Sequence, residues 1–247
     1  MYGLDLFSGI GGITKALEGY VTPVAYCEND RYSQGVLLSR MSRGDIPIAP
    51  IWDDVSTLHG GDLLIKPEII YGGFPCQDIS VAGHNAKGLD GHRSGLFSQI
   101  LRLAEEIKPT FLFLENVPNI RTKGLSRVVR ELADIGYDCR WCTVSASQIG
   151  APHKRVRFFI LAYCHSFRRR DELPAQGINA IKNTERGWSD QKAYLSACRN
   201  ENEYAPNTGD IRVADGVPHY VDRLRALGNA VVPAQAREAF ERLMGVK

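Results

Sequence analysis

Short apolar runs that end in turn residues alternate with stretches of helical periodicity over the first two thirds of the chain. Tyr2 to Phe7 reads as a strand, Gly12 to Glu18 as a helix, Val21 to Glu28 as a strand and Arg31 to Met41 as a helix. Ile69 to Gly73 and Phe111 to Glu115 have the continuous apolar character of buried parallel strands, with helices predicted at Leu96 to Ile107 and Leu125 to Ile135. Further strands are expected at Tyr137 to Val144 and Arg157 to Ala162. Strand and helix in alternation predict an α/β fold, a mostly parallel sheet with helices on both faces.

From about His165 the pattern dissolves. The polar stretch to Asp215 shows little periodicity, and regularity returns at Val217 to Leu227 and Ala234 to Met244. The expected organisation is therefore a core built from residues 1–164 and 216–247, interrupted by a small irregular insert at 165–215. Such inserts carry recognition, and a purely structureless connection of that length is unusual in a compact domain.

Composition narrows the classes. The 247 residues are 44% hydrophobic, enough for one sizeable core. No apolar run approaches the ~20 residues of a membrane helix, and the start Met1-Tyr2-Gly3-Leu4-Asp5 lacks the basic and apolar regions of a secretory signal. Six cysteines are too sparse for a disulfide scaffold, so reduced thiols and a cytoplasmic location are expected. The net charge of +2 conceals a partition: residues 1–120 hold nine Lys and Arg against fourteen Asp and Glu, whereas residues 121–170 hold eleven against three. That basic middle is a candidate polyanion-facing surface, or else the solvated side of a helix around Arg121 to Arg130.

Candidate chemistry sits at the ends of the predicted strands. Asp5-Leu6-Phe7-Ser8-Gly9-Ile10-Gly11-Gly12 joins the first strand to the first helix, and such glycines let the backbone approach a nucleotide-like ligand. Glu28, at the end of the second strand, is placed to accept from ribose hydroxyls. These two features alone suit a nicotinamide cofactor, or no ligand, equally well. Gly72-Gly73-Phe74-Pro75-Cys76-Gln77-Asp78-Ile79-Ser80 puts a thiol just beyond a strand end, as a nucleophile requires, although a free cysteine is more commonly a buried small hydrophobe. The neighbouring strand delivers Glu115-Asn116-Val117-Pro118, so a thiol and a carboxyl are expected above one sheet edge.

These segments, in this order, resemble the DNA cytosine-5 methyltransferase family, whose fold is the Rossmann-like sheet of class I methyltransferases and whose cofactor is S-adenosylmethionine. Asp5 to Gly12 resembles the cofactor glycine motif, Pro75-Cys76-Gln77 the nucleophile loop and Glu115-Asn116-Val117 the acidic motif. Gln148 to Arg157 resembles the arginine motif, and Arg223 to Pro233, with Gly228-Asn229-Ala230-Val231-Val232-Pro233, the closing one. The resemblance implies that Cys76 attacks carbon 6 of cytosine, that Glu115 relieves negative charge at N3, and that Arg155 and Arg157 complete the site, with Arg157 reaching O2. It implies that Phe7 packs on adenine, that Ser8, Gly9 and Gly11 line the methionine part, and that Glu28 holds the ribose. Asp54 matches the contact to the adenine amino group, with Asp53 the competing alignment. Val55 and Pro75 line the same pocket, and Asn229 and Val231 close it. Asn29 stands where the family often has an aromatic residue, and His153 where glutamine is common.

A stacked base must leave the duplex to reach Cys76, at a cost of about a few kcal/mol. Gln77 to Gly95, with Gly83, Gly88, Gly91 and Gly95, is the expected lid, in which Gln77, Ser80, Arg93 and Ser94 touch the flipped nucleotide or its phosphates. Arg168, Arg169 and Arg170 open the insert and are expected to meet phosphates. No metal is expected: Cys139 and Cys142 have half the spacing of a zinc site, with Cys164 and His165 nearby, but in a strand that spacing sends the two side chains to opposite faces. The expected partners are double-stranded DNA and a cognate restriction endonuclease, with the enzyme a monomer. A catalytically weak DNA-binding homologue that needs a partner, or an RNA cytosine methyltransferase, are the alternatives; the Cys-Phe-Thr signature of the RNA-directed branch is not found in this chain.

Overall fold

A computed structural model describes residues 1–74, 95–168, 222, 226–228 and 230–246. Seven strands form one sheet: β1 (Tyr2–Leu6), β2 (Thr22–Cys27), β3 (Ile51–Trp52), β4 (Ile69–Gly73), β5 (Phe111–Asn116), β6 (Tyr137–Ser145) and β7 (Val156–Cys164), in the order β3-β2-β1-β4-β5-β7-β6. The first five run parallel. β7 inserts antiparallel between β5 and β6, so the last two strands are a hairpin at one edge. The expected mostly parallel sheet is observed; an apolar run does not encode its direction, and the reversal follows from the short β6–β7 connection.

Helices α1 (Gly12–Ala16), α2 (Arg31–Ser42), α3 (Leu96–Ile107), α4 (Ile120–Lys123), α5 (Leu125–Asp134), α6 (His165–Arg168) and α7 (Pro233–Met244) flank the sheet. On one face Leu4, Leu6, Ile70, Leu112, Leu114 and Ile160 pack against Phe97, Ile100 and Leu103 of α3 and Val128 and Leu132 of α5. On the other, Ile69, Tyr71, Phe111, Phe113, Phe159 and Leu161 meet Ile13 and Ala16 of α1 and Ala236, Phe240 and Leu243 of α7. Burying each large apolar side chain contributes about 1.5–3 kcal/mol, so the double coverage fixes the register. Asp30 caps α2 by accepting from the Ser33 N–H at 2.9 Å, and Leu37 and Met41 then cover Tyr26.

Cys139 packs on the first core and Cys142 lies within the second, so the two thiols point to opposite faces of β6 as the spacing predicts. Burial pushes both thiols up to about 12. Among the described residues no helix is long and apolar enough to cross a membrane. Of the regular stretch expected at Val217 to Leu227, Asp222, Ala226 and Leu227 are described and helical.

Candidate active site

The carboxyl ends of β1, β2, β4 and β5 bring most of the described candidates to one edge. The chain leaves β1 through a strained turn: Phe7 has φ 54°, a left-handed backbone that a bulky residue avoids, followed by Gly9 at 54° and Gly11 at 78°. The Ser8 hydroxyl turns inward, donating to Asp5 O at 2.9 Å, while its N–H donates to Cys27 O and its carbonyl accepts from Gly11. Ser8 therefore helps shape the turn. Arg40, buried on α2, holds the turn from behind by donating to Ile10 O.

Glu28 closes this turn from the neighbouring strand. Its Oε2 accepts from Gly9 N–H at 2.7 Å and its Oε1 from Asp30 N–H at 2.9 Å. Each oxygen keeps a second lone pair, which is the acceptor pattern a vicinal diol needs. Asn29 is exposed beside it. On the adjoining loop Asp54 is exposed, and Ser56 donates to its Oδ1 through N–H and hydroxyl at 2.8 and 2.7 Å, which lowers the carboxyl. Val55 is buried in the first core, where Phe7 packs in part.

Glu115 and Arg157 form the second half of the site. Arg157 Nε lies 2.8 Å from Glu115 Oε1, with both side chains mostly buried. A pair this close favours the charged carboxylate, yet burial outweighs both Arg157 and Arg155 and raises Glu115 to about 7. The net direction is upward because a carboxyl with so little water loses more solvation than the guanidiniums restore. Gly73 makes room for it: a Cβ there would lie 2.7 Å from Glu115 Oε2. Asn116 ties this strand to the start of the nucleophile segment, donating from Nδ2 to Phe74 O at 2.9 Å and accepting from Val117 N–H at 2.8 Å.

Arg155 does something different from its neighbour. Its Nη2 donates to Gly228 O and Ala230 O, both at 2.7 Å, and so clasps the closing segment. Gln235, fully buried at the start of α7, donates to Val144 O and Arg155 O, both at 2.6 Å. A Cβ at Gly12 would lie 3.0 Å from Val231 O, so the closing segment lies against the end of the glycine turn.

Pro75, Cys76, Gln77, Ser80, Arg93, Arg169, Arg170 and Asn229 lie outside the described residues, as does the side chain of Arg168. Sequence reasoning missed a buried network behind the turn: Thr14 Oγ1 donates to Asp5 Oδ2 at 2.5 Å and lies 2.9 Å from the Tyr71 hydroxyl. Burial raises Asp5 to about 8. Its signal was a carboxyl inside an apolar strand. Arg40, Asn116 and Gln235 gave none beyond polar residues on faces that prove buried.

The profile of the C-5 cytosine-specific DNA methylase family matches residues 1–223. The chain belongs to this family. Among its relatives, the Type II methyltransferase M.CviJI of Paramecium bursaria Chlorella virus IL3A is 35% identical over 96% of this chain and 58% of its own. M.HhaI of Haemophilus parahaemolyticus is 32% identical over 65% of this chain and 48% of its own. Of solved structures, a prophage-encoded protein of E. coli described as a DNA modification methyltransferase superposes with a TM-score of 0.54 at 25% identity, covering 68% of this chain and 48% of that one. Spodoptera frugiperda DNMT2 superposes with a TM-score of 0.63 at 15% identity over 99% of both chains, a likeness of fold alone. The chain spans about half the length of the curated relatives it matches.

Proposed function

We propose that this protein transfers a methyl group from S-adenosylmethionine to carbon 5 of a cytosine flipped out of duplex DNA. The observation that carries the reading is Glu115: a carboxyl raised to about 7 and set against Arg157. Asn116, the next residue along the same strand, holds Phe74, two positions before Cys76. A carboxyl poised there is able to hold or deliver a proton near neutrality, and Arg157 adds a donor beside it.

S-adenosylmethionine fits the residues present. The Glu28 carboxylate suits its ribose diol, Phe7 and Val55 offer apolar walls for adenine, and a side chain at Gly9 would meet no described residue within 4 Å. When bound, it supplies an electrophilic methyl group on a sulfonium. The protein's own groups do the rest. The Cys76 thiolate forms a bond to carbon 6, the electron pair of the C5–C6 double bond moves to carbon 5, and Glu115 protonates or hydrogen bonds N3 as charge develops. Arg157 donates toward O2. After carbon 5 takes the methyl group, a base removes its proton, the C–H electron pair re-forms the C5–C6 double bond, and the thiolate departs with the C6–S pair.

The same reading assigns residues 1–164 and 216–247 to catalysis and 165–215 to target recognition. It makes double-stranded DNA the partner of a monomer, in a restriction-modification setting with a cognate endonuclease and in the cytoplasm where bacterial DNA lies. The test is transfer of labelled methyl groups to duplex DNA. Wild type is expected to label cytosine at carbon 5, and Cys76→Ser to label none; binding of cofactor without labelling of any DNA by wild type would refute the reading.

A further inference from the structure

Arg102 of α3 uses its guanidinium away from the sheet. Its Nη2 donates to two backbone carbonyls, Val55 O and Leu58 O, both at 2.8 Å. Its Nη1 meets Glu106 Oε1 at 2.7 Å and its Nε meets Gln99 Oε1 at 2.7 Å, so two side chains of the same helix fix the guanidinium plane. Glu106 in turn accepts from Gly60 N–H at 2.8 Å through its other oxygen. Residues 55 to 60 are thus fastened to α3 at three backbone points. The segment has no regular structure of its own until the short 3₁₀ turn at Gly60–Asp62, so these bonds, with the burial of Val55 and Leu58, set its path. Asp54, the residue offered to adenine, immediately precedes the first of them.

We infer that Arg102 is a positioning residue for cofactor recognition, holding Asp54 and Val55 at the adenine end of the pocket from α3. The planar fork matters, since one guanidinium must serve two carbonyls and a carboxylate together, a task for which an ammonium is poorly shaped. Arg102 and Glu106, one helical turn apart on α3, thus anchor the adenine loop together.

The inference rests on the cofactor reading above, and titration of the full chain with S-adenosylhomocysteine separates the two. Wild type is expected to bind. Arg102→Met should raise Kd about tenfold, and Arg102→Lys, which keeps the charge opposite Glu106, should move it in the same direction by less. Arg127→Met removes a comparable half-buried pair, Arg127 Nε to Glu131 Oε1 at 2.6 Å on α5, and should lower Tm with no change in Kd. In an Asp54→Ala background Arg102→Met should add less than about twofold, because the arginine acts through that loop. Wild-type affinity in a folded Arg102→Met, or an effect that multiplies in full with Asp54→Ala, overturns the inference alone. Absence of binding by wild type overturns the cofactor reading with it.

Discussion

Glu115 is held between two opposing influences, burial that favours its neutral form and Arg157 that favours its charge, and the balance falls at about 7. A carboxyl raised above its unfolded value contributes stability below the unfolded pKa and loses it as pH rises through the folded one. Glu115→Gln, neutral at every pH, is therefore expected to gain stability relative to wild type as pH rises from about 4.5 to above 7, read as a growing difference in Tm. A difference that shrinks over this range would mean that the ion pair dominates. The same variant should lose most of its methyl transfer, since an amide has no proton to release to N3. Phe7 states the residue-scale lesson in another form: its position at a strand end was legible, but its positive φ follows from Gly9, Ser8 and Glu28 acting together.

At the scale of elements, the site is a set of strand ends joined by side-chain clasps. All the described strands but β3, whose two residues are too short to leave a pattern, were legible because apolar runs and helical periodicity survive in sequence, and Glu115 was placed at the end of β5 on that ground alone. The clasps were not. Arg102 sits among Glu105 and Glu106 on an amphipathic helix and reads as surface charge, while Gln235 reads as one polar residue in a terminal helix. Arg155, paired with Arg157 by sequence, also secures Gly228 and Ala230. Gln235→Leu removes one donor each from the carbonyls of Val144 and Arg155, of which Arg155 O keeps Ala146 N–H at 3.0 Å, at a cost of about 1 kcal/mol. The urea midpoint should fall with the m-value unchanged; an unaltered midpoint would show that the two bonds contribute nothing.

For the molecule as a whole, the charge partition becomes more selective. Of the eleven cations in residues 121–170, Arg155 and Arg157 belong to the site, Arg127 pairs with Glu131 and Arg140 lies over the Tyr163 ring. Arg121 and Lys154 are exposed and available to a polyanion. The cations of the basic middle thus serve different ends, which a count of charges does not reveal. Bisulfite sequencing of DNA from cells expressing the protein tests the central claim most directly, because modification and its sequence context appear together. Cytosines protected within one short recurring sequence, and unprotected when Cys76→Ser is expressed, are the predicted result; no protection above background with folded, cofactor-binding wild type would contradict it.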